Sequence, residues 1–118
     1  GTDHPSVLIT KINIANSLVD SEQKEEAVVI YKQVLSKQLN VLGEEHPTLL
    51  ITKQNLAVCL YKTGRIKEAL EIFTEVEQVG TLDENHPILV NTKKFIEICL
   101  EDLRSSNKSV LKSRSVIA

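Results

Sequence analysis

Three His-Pro pairs recur along the chain at nearly constant spacing. They are His4-Pro5, His46-Pro47 and His86-Pro87, separated by steps of 42 and 40 residues. Each pair is followed by a run in which apolar residues recur every three or four positions, which is the period of an amphipathic helix. Proline is well tolerated at the first position of a helix, because its missing N–H has no intrahelical acceptor there. The repeat therefore predicts three helix starts, each with a histidine at the capping position.

The second repeat shows the internal organisation of the unit most clearly. A first helix carries apolar residues on one face, Gly64 ends it, and a second helix with its own apolar face follows. In the first repeat Glu22 stands where this glycine would be, so we expect a looser turn there. The apolar residues of the second repeat are Leu56, Ala57 and Leu60 in the first helix and Ala69, Phe73 and Val76 in the second. The chain is thus predicted to be a stack of helical hairpins.

This order of leucine, small residue, large apolar residue, turn, alanine and aromatic residue resembles the tetratricopeptide repeat (TPR). The triplet Asn55-Leu56-Ala57, the lengthened period and the Leu-Gly-Glu-Glu-His-Pro junction at 42–47 resemble more specifically the repeats of kinesin light chains and nephrocystin-like proteins. The resemblance covers residues 3 to about 103. It implies an all-α fold, a right-handed superhelical stack of antiparallel helix hairpins (a TPR-like α-solenoid) with about two and a half repeats.

The repeat pattern also sets the expected domain boundaries. We assign residues 3–44 to TPR-like repeat 1, 45–84 to repeat 2 and 85–104 to the first helix of repeat 3. Because the chain opens with Gly1 rather than Met, we expect it to be part of a longer protein.

Residues 105–118 differ from the repeats in being rich in serine, with three basic residues and no acidic one. Two interpretations of this basic segment remain open. It is either a disordered tail or a short capping helix that covers the open end of the stack. The residues available for such a cap are Val110, Leu111, Val116 and Ile117.

Composition argues against several classes of partner. The net charge is -2 and aromatic residues make up only 3%, so neither a basic field nor stacking platforms are available for nucleic acid. No apolar stretch is long enough to span a membrane. Cys59 and Cys99 lie in apolar helical stretches one repeat apart, where we expect them to be buried, reduced and structural. These features predict a cytoplasmic protein that binds neither nucleic acid nor membrane.

No group of residues has the spacing of a catalytic or metal site. The sequence lacks a Gly-rich phosphate loop and the Cys-x-x-Cys and His-x-x-x-His patterns of metal ligands. The three histidines are expected to be spread along the stack rather than gathered. Glu44 and Glu45 beside His46 are interpreted as acids that favour the positive end of a helix dipole. We therefore predict no enzymatic activity, no metal and no cofactor.

A stack of this kind offers the first helices of its hairpins as a concave surface for a peptide or helix. Asn13 and Asn55 have donors and acceptors suited to a peptide main chain. The alternative is that these amides bond the neighbouring hairpin and never contact a ligand. The predicted peptide-binding groove consists of Ile12, Asn13, Asn16, Gln54, Asn55, Val58, Lys62, Asn91, Lys94 and Ile98.

The function predicted on this basis is that of a scaffold or adaptor that binds a partner protein through this groove. The resemblance to kinesin light chains implies an extended cargo or adaptor peptide as the ligand, with Lys62 and Lys94 available for its acidic side chains. The alternative is a structural spacer, or a segment that self-associates through the open end of the incomplete third repeat.

Overall fold

The computed structural model describes the backbone of residues 4–117 and the side chains of residue 4 and of residues 6–106. Within this part of the chain all regular structure is helical, as the sequence predicts. The helices are α1 (Pro5–Leu18), α2 (Lys24–Leu42), α3 (Pro47–Lys62), α4 (Ile66–Glu77) and α5 (Pro87–Ile117).

Each of the three predicted helix starts has a histidine cap. In His4, His46 and His86 the Nδ1 atom accepts a hydrogen bond from the backbone N–H two residues later, at 3.1 to 3.2 Å. This bond satisfies one of the N–H groups that have no partner within the first turn of a helix. The predicted capping role of these histidines is confirmed.

Removing one cap should have a measurable cost. We expect His46→Ala to lower the free energy of unfolding by about 1 kcal/mol, because the N–H of Thr48 loses its acceptor. His46→Asn should stay near the wild-type value, since asparagine is a good capping residue. Urea unfolding followed by circular dichroism measures the difference, and equal stability of the two variants would contradict the cap.

The helices form two layers. Each helix packs against the next one in the chain, and α3 also contacts α5. We call α1, α3 and α5 the inner layer and α2 and α4 the outer layer. Neither α2 and α4 nor α1 and α3 contact each other extensively, and a gap between α2 and α4 opens on the outer face.

The core lies between the two layers of helices. Four alanines, all fully buried, allow the helices of each hairpin to approach closely. Next to them the ring of Phe73 stacks on that of Phe95, with 5.1 Å between the ring centroids. Cys59 and Cys99 are free and buried, and burial raises the pKa of both thiols. The alanines are Ala15, Ala27, Ala57 and Ala69.

The two hairpin turns are built differently. Gly64 closes the second hairpin with a φ of 88°, a conformation that glycine adopts without strain. The first hairpin turn has no residue with positive φ. Instead, the hydroxyl of Ser21 donates to the carbonyl of Leu18 at 2.7 Å and accepts from the N–H of Gln23 at 3.0 Å. A serine turn thus stands where the sequence lacks the glycine.

Helix α5 is longer than a repeat helix. It runs for 31 residues, and no helix end marks the boundary placed after residue 104. The basic segment continues α5 up to Ile117 and does not begin a separate element. The predicted capping contacts of Val110, Leu111, Val116 and Ile117 concern side chains outside the described residues.

Candidate functional site

All ten residues predicted to form the groove lie on the three inner helices. Ile12, Asn13 and Asn16 are on α1, three residues are on α5, and the other four are on α3. We call the surface made by these ten residues the candidate groove. Their environments differ, and the differences separate residues that are free to meet a ligand from residues that hold the stack together.

Asn13 and Asn55 are two amides whose hydrogen-bonding groups are free. Asn13 is exposed and Asn55 is half-buried, and neither side chain has a hydrogen-bond partner among the described residues. Ile9 and Ile51, four residues earlier on the same helices, are 54% and 44% exposed. Helices α1 and α3 therefore present the same pair, an exposed isoleucine and an unpaired amide, one repeat apart.

Gln54 is engaged within the stack. Its Nε2 donates to the backbone carbonyl of Ile88 and to Oγ1 of Thr92, both at 3.1 Å. Thr92 is fully buried and itself donates to the carbonyl of Ile88 at 2.7 Å. Gln54 thus links α3 to α5, and its donors are used inside the protein rather than offered to a ligand.

Asn16 is also held, in this case within the first hairpin. The hydroxyl of Tyr31 on α2 donates to its Oδ1. Tyr31 is only 1% exposed, and burial is the main reason why its pKa is raised to about 12. The bond satisfies a hydroxyl that would otherwise be poorly hydrated, and it fixes the position of the amide of Asn16.

The raised pKa of Tyr31 predicts a loss of stability in alkali. An ordinary tyrosine has a pKa near 10, so the unfolded chain releases this proton before the folded chain does. The stabilisation is complete below about pH 10 and is lost as the pH rises towards 12. The free energy of unfolding of the wild type should fall more steeply over this window than that of Tyr31→Phe. Parallel pH profiles of the two proteins would contradict the assignment.

The two candidate lysines are in different states. Nζ of Lys62 lies 2.6 Å from Oδ1 of Asp20, and the hydrogen bond from Lys62 is the main cause of a lowered pKa for Asp20. Lys94 is exposed and has no ion pair among the described residues. Of the two lysines, Lys94 is therefore the one that can bind an acidic group of a ligand without first breaking an ion pair.

Asp20 and Asp102 belong to the links between repeats, a role that the sequence did not reveal. Asp20 pairs with Lys62, and the carboxylate of Asp102 accepts a hydrogen bond from the hydroxyl of Tyr61. This bond is the main reason why the pKa of Tyr61 is raised. Asp20 and Lys62 are 42 residues apart, the same step as the first two His-Pro pairs. They therefore occupy equivalent positions in successive repeats, and the repeat spacing could have predicted that they are neighbours.

The apolar members of the candidate groove also divide into two groups. Ile12 and Val58 are half-buried and pack against the core, so they offer only part of their surface. Ile98 is 43% exposed and lies with Lys94 in an open depression of about 700 Å³ on α5. Asn91 is exposed on the same helix. The free part of the groove therefore consists of Asn13, Asn55, Asn91, Lys94 and Ile98.

Among the described side chains, no three His, Cys, Asp or Glu residues are grouped closely enough to hold a metal ion. Within the same part of the chain, no helix combines the length and the apolar character needed to cross a bilayer. The chemistry present at the candidate groove is thus that of amides, one free ammonium group and aliphatic side chains.

The chain belongs to the tetratricopeptide repeat family, whose model matches residues 6–79. Its repeats are of the kinesin light chain type, as the sequence predicts. A crystal structure of a single-substitution variant of a candidate kinesin light chain from Podosopora anserina, with nearly identical TPR-like repeats, has a TM-score of 0.75 and 26% identity. The alignment covers 99% of this chain and 57% of that one.

A second crystal structure from Podosopora anserina, also of the candidate kinesin light chain with nearly identical TPR-like repeats, gives a TM-score of 0.74 and 27% identity. The alignment covers 95% of this chain and 55% of that one. The chain thus spans little more than half the length of these relatives. No curated protein matches the chain at a significant level.

Proposed function

We propose that this chain is a protein-interaction module that binds an extended peptide segment of a partner along the candidate groove. Tetratricopeptide repeats generally mediate protein–protein interaction, and this chain belongs to that family. The observation that carries the proposal is the repeated pair on α1 and α3, in which Asn13 and Asn55 have no partner among the described side chains and lie beside exposed Ile9 and Ile51.

The amides match the needs of a peptide main chain. An extended peptide has unpaired N–H and C=O groups along its length, and an asparagine side chain can both donate to and accept from them. The exposed isoleucines gain from burial under the apolar side chains of such a peptide, by about 25 cal/mol for each Å² removed from water. Lys94 adds a preference for an acidic residue near α5.

The test compares two triple variants in a pull-down from cell extract. The groove variant is Asn13→Ala, Asn55→Ala and Lys94→Glu. The matched control, Gln33→Ala, Asn40→Ala and Lys67→Glu, makes the same kinds of change at exposed positions of the outer layer. Circular dichroism first establishes that both variants are folded.

We expect the wild type and the control variant to retain the same partner proteins and the groove variant to lose them. The segment of the retained partner that binds is then identified and made as a synthetic peptide. Its affinity for the groove variant should be at least tenfold lower than its affinity for the wild type. Partners that bind all three proteins equally would contradict the groove. Partners lost with both triple variants would also contradict it, since the outer changes leave the groove intact.

A further inference from the structure

The outer face carries a second groove that the proposed function does not use. The gap between α2 and α4 has a volume of about 500 Å³ and is closed at its base by the start of α3. Leu35, Leu49 and Val79 form its apolar floor and belong to a core cluster. Leu39 at its edge is 45% exposed. We call this surface the outer groove.

Acidic residues stand on both sides of the apolar floor of the outer groove. Glu44 and Glu45 lie at the junction between α2 and α3, and Glu75 lies on α4. Lys53 is the one basic residue among those that line it, and its Nζ is paired with Glu75 at 3.2 Å. A segment with an apolar centre and basic residues on either side would complement this arrangement.

The basic segment of the same sequence has that character. In residues 105–118 the apolar pair Val110-Leu111 stands between Lys108 and Lys112, and Arg114 follows. The segment contributes three positive charges to a chain of net charge -2, so residues 1–104 carry a net charge of -5. The chain therefore combines an acidic body with a basic end.

The geometry of α5 keeps this segment away from the outer groove of its own chain. Phe95 on α5 stacks on Phe73 of α4, while Leu103 lies beside Gly64 and Ile66, at the start of α4. The two helices are thus antiparallel, and Glu75 lies at the far end of α4. Helix α4 is about 18 Å long, and α5 continues about 21 Å beyond Leu103. Contact between the basic segment and an outer groove therefore requires a second molecule.

We propose that the outer groove binds the basic segment of a second copy of this chain. Leu111 covers the leucines of the floor, and Lys108 and Lys112, which share the helix face next to it, meet the carboxylates of Glu44 and Glu45. The donor and acceptor surfaces are different, so the contact is heterologous and links molecules head to tail. Because its charged part is exposed, the association weakens as salt is added.

The test measures binding of a fluorescein-labelled synthetic peptide of residues 105–118 to the dilute whole chain by fluorescence anisotropy. We expect saturable binding that weakens about tenfold in the Glu44→Lys, Glu45→Lys variant, since two reversed exposed ion pairs together cost about 1.4 kcal/mol. Leu39→Ser should weaken binding through the apolar edge. Raising the ionic strength should weaken binding of the wild type.

A charge exchange gives the decisive comparison. The peptide with Lys108→Glu and Lys112→Glu should bind the Glu44→Lys, Glu45→Lys chain more tightly than it binds the wild type. The variant with Asn13→Ala, Asn55→Ala and Lys94→Glu serves as control and should bind the original peptide as the wild type does. This control separates failure at the outer groove from failure of the candidate groove.

Three results would overturn the proposal. The first is that the peptide does not bind the wild type. The second is that it binds the Glu44→Lys, Glu45→Lys chain as tightly as the wild type, and the third is that the control variant no longer binds the peptide. The last result would place the peptide on the inner layer instead. Concentration-dependent mass in analytical ultracentrifugation that is unchanged in the Glu44→Lys, Glu45→Lys chain would assign self-association to the open end of α5.

Discussion

Phe73→Ala should lower the free energy of unfolding by about 3–5 kcal/mol, the largest single-site effect expected in this chain. Phe73 is fully buried, belongs to the main core cluster and stacks on Phe95. Truncation removes the buried ring and leaves a cavity that the surrounding helices fill only in part. Since a domain of this size is stable by roughly 5–15 kcal/mol, the variant should unfold at a much lower urea concentration, as followed by circular dichroism.

Two further variants separate cavity formation from other causes. Phe73→Leu keeps an apolar side chain of intermediate volume and should cost less than the alanine variant. Ile14→Ala removes an apolar side chain that is 49% exposed and should change stability by no more than about 0.5 kcal/mol. Similar stability of Phe73→Ala and Ile14→Ala would contradict the burial of Phe73 in the core.

The helix starts were predictable because their signals are local. Each His-Pro pair specifies its own cap, since the proline fits the first helical position and the histidine reaches an N–H two residues later. The hairpin partners were predictable for a related reason. In both hairpins an alanine on each helix and an aromatic residue, Tyr31 in the first and Phe73 in the second, recur in the order that two closely packed helices require.

The state of the groove residues was less predictable, because it depends on the neighbouring helix. Asn13, Gln54 and Asn55 are all amides on the inner layer, and nothing in the sequence distinguishes their roles. Gln54 is bonded because the carbonyl of Ile88 and the hydroxyl of Thr92 lie within its reach on α5. Asn55, the next residue, is rotated away by one helical step and has no such partner. The rotation of about 100° between consecutive residues is fixed by the helix, but which of the two amides meets a partner depends on how α3 packs against α5.

The length of α5 was not predicted, although a signal for it exists in the sequence. The serine-rich composition from Ser105 onwards suggested a disordered tail or a separate capping helix, and serine and asparagine have weak helix propensity. From residue 88 to residue 118, however, the sequence contains neither glycine nor proline. Weak propensity spread over a few positions costs too little to stop a helix whose first four turns are anchored by packing. The helix therefore continues through the basic segment.

Gly64→Ala should cost about 1–2 kcal/mol, because Gly64 has a φ of 88° and a side chain makes that conformation unfavourable. A Cβ at this position would meet no atom within 4 Å, so the cost comes from the backbone alone. Gly80 provides a matched control. It also has open space around a Cβ but its φ lies outside the left-handed region, and Gly80→Ala should leave stability unchanged or raise it slightly.

Urea unfolding of these two variants tests how the second hairpin turn works. A stability difference of at least about 1 kcal/mol between them is expected from the φ angles. Equal stability would mean that the turn can close without a left-handed residue. The first hairpin shows that a turn of this kind can close without a left-handed residue, because Ser21 closes it through side-chain hydrogen bonds and no residue there has positive φ.

The second turn has Thr63 before its glycine, and the Thr63 hydroxyl donates to the carbonyl of Leu60 at 2.8 Å. This hydroxyl alone does not reverse the chain. Gly64 provides the reversal, which lets the N–H of Arg65 donate to the same carbonyl at 2.9 Å.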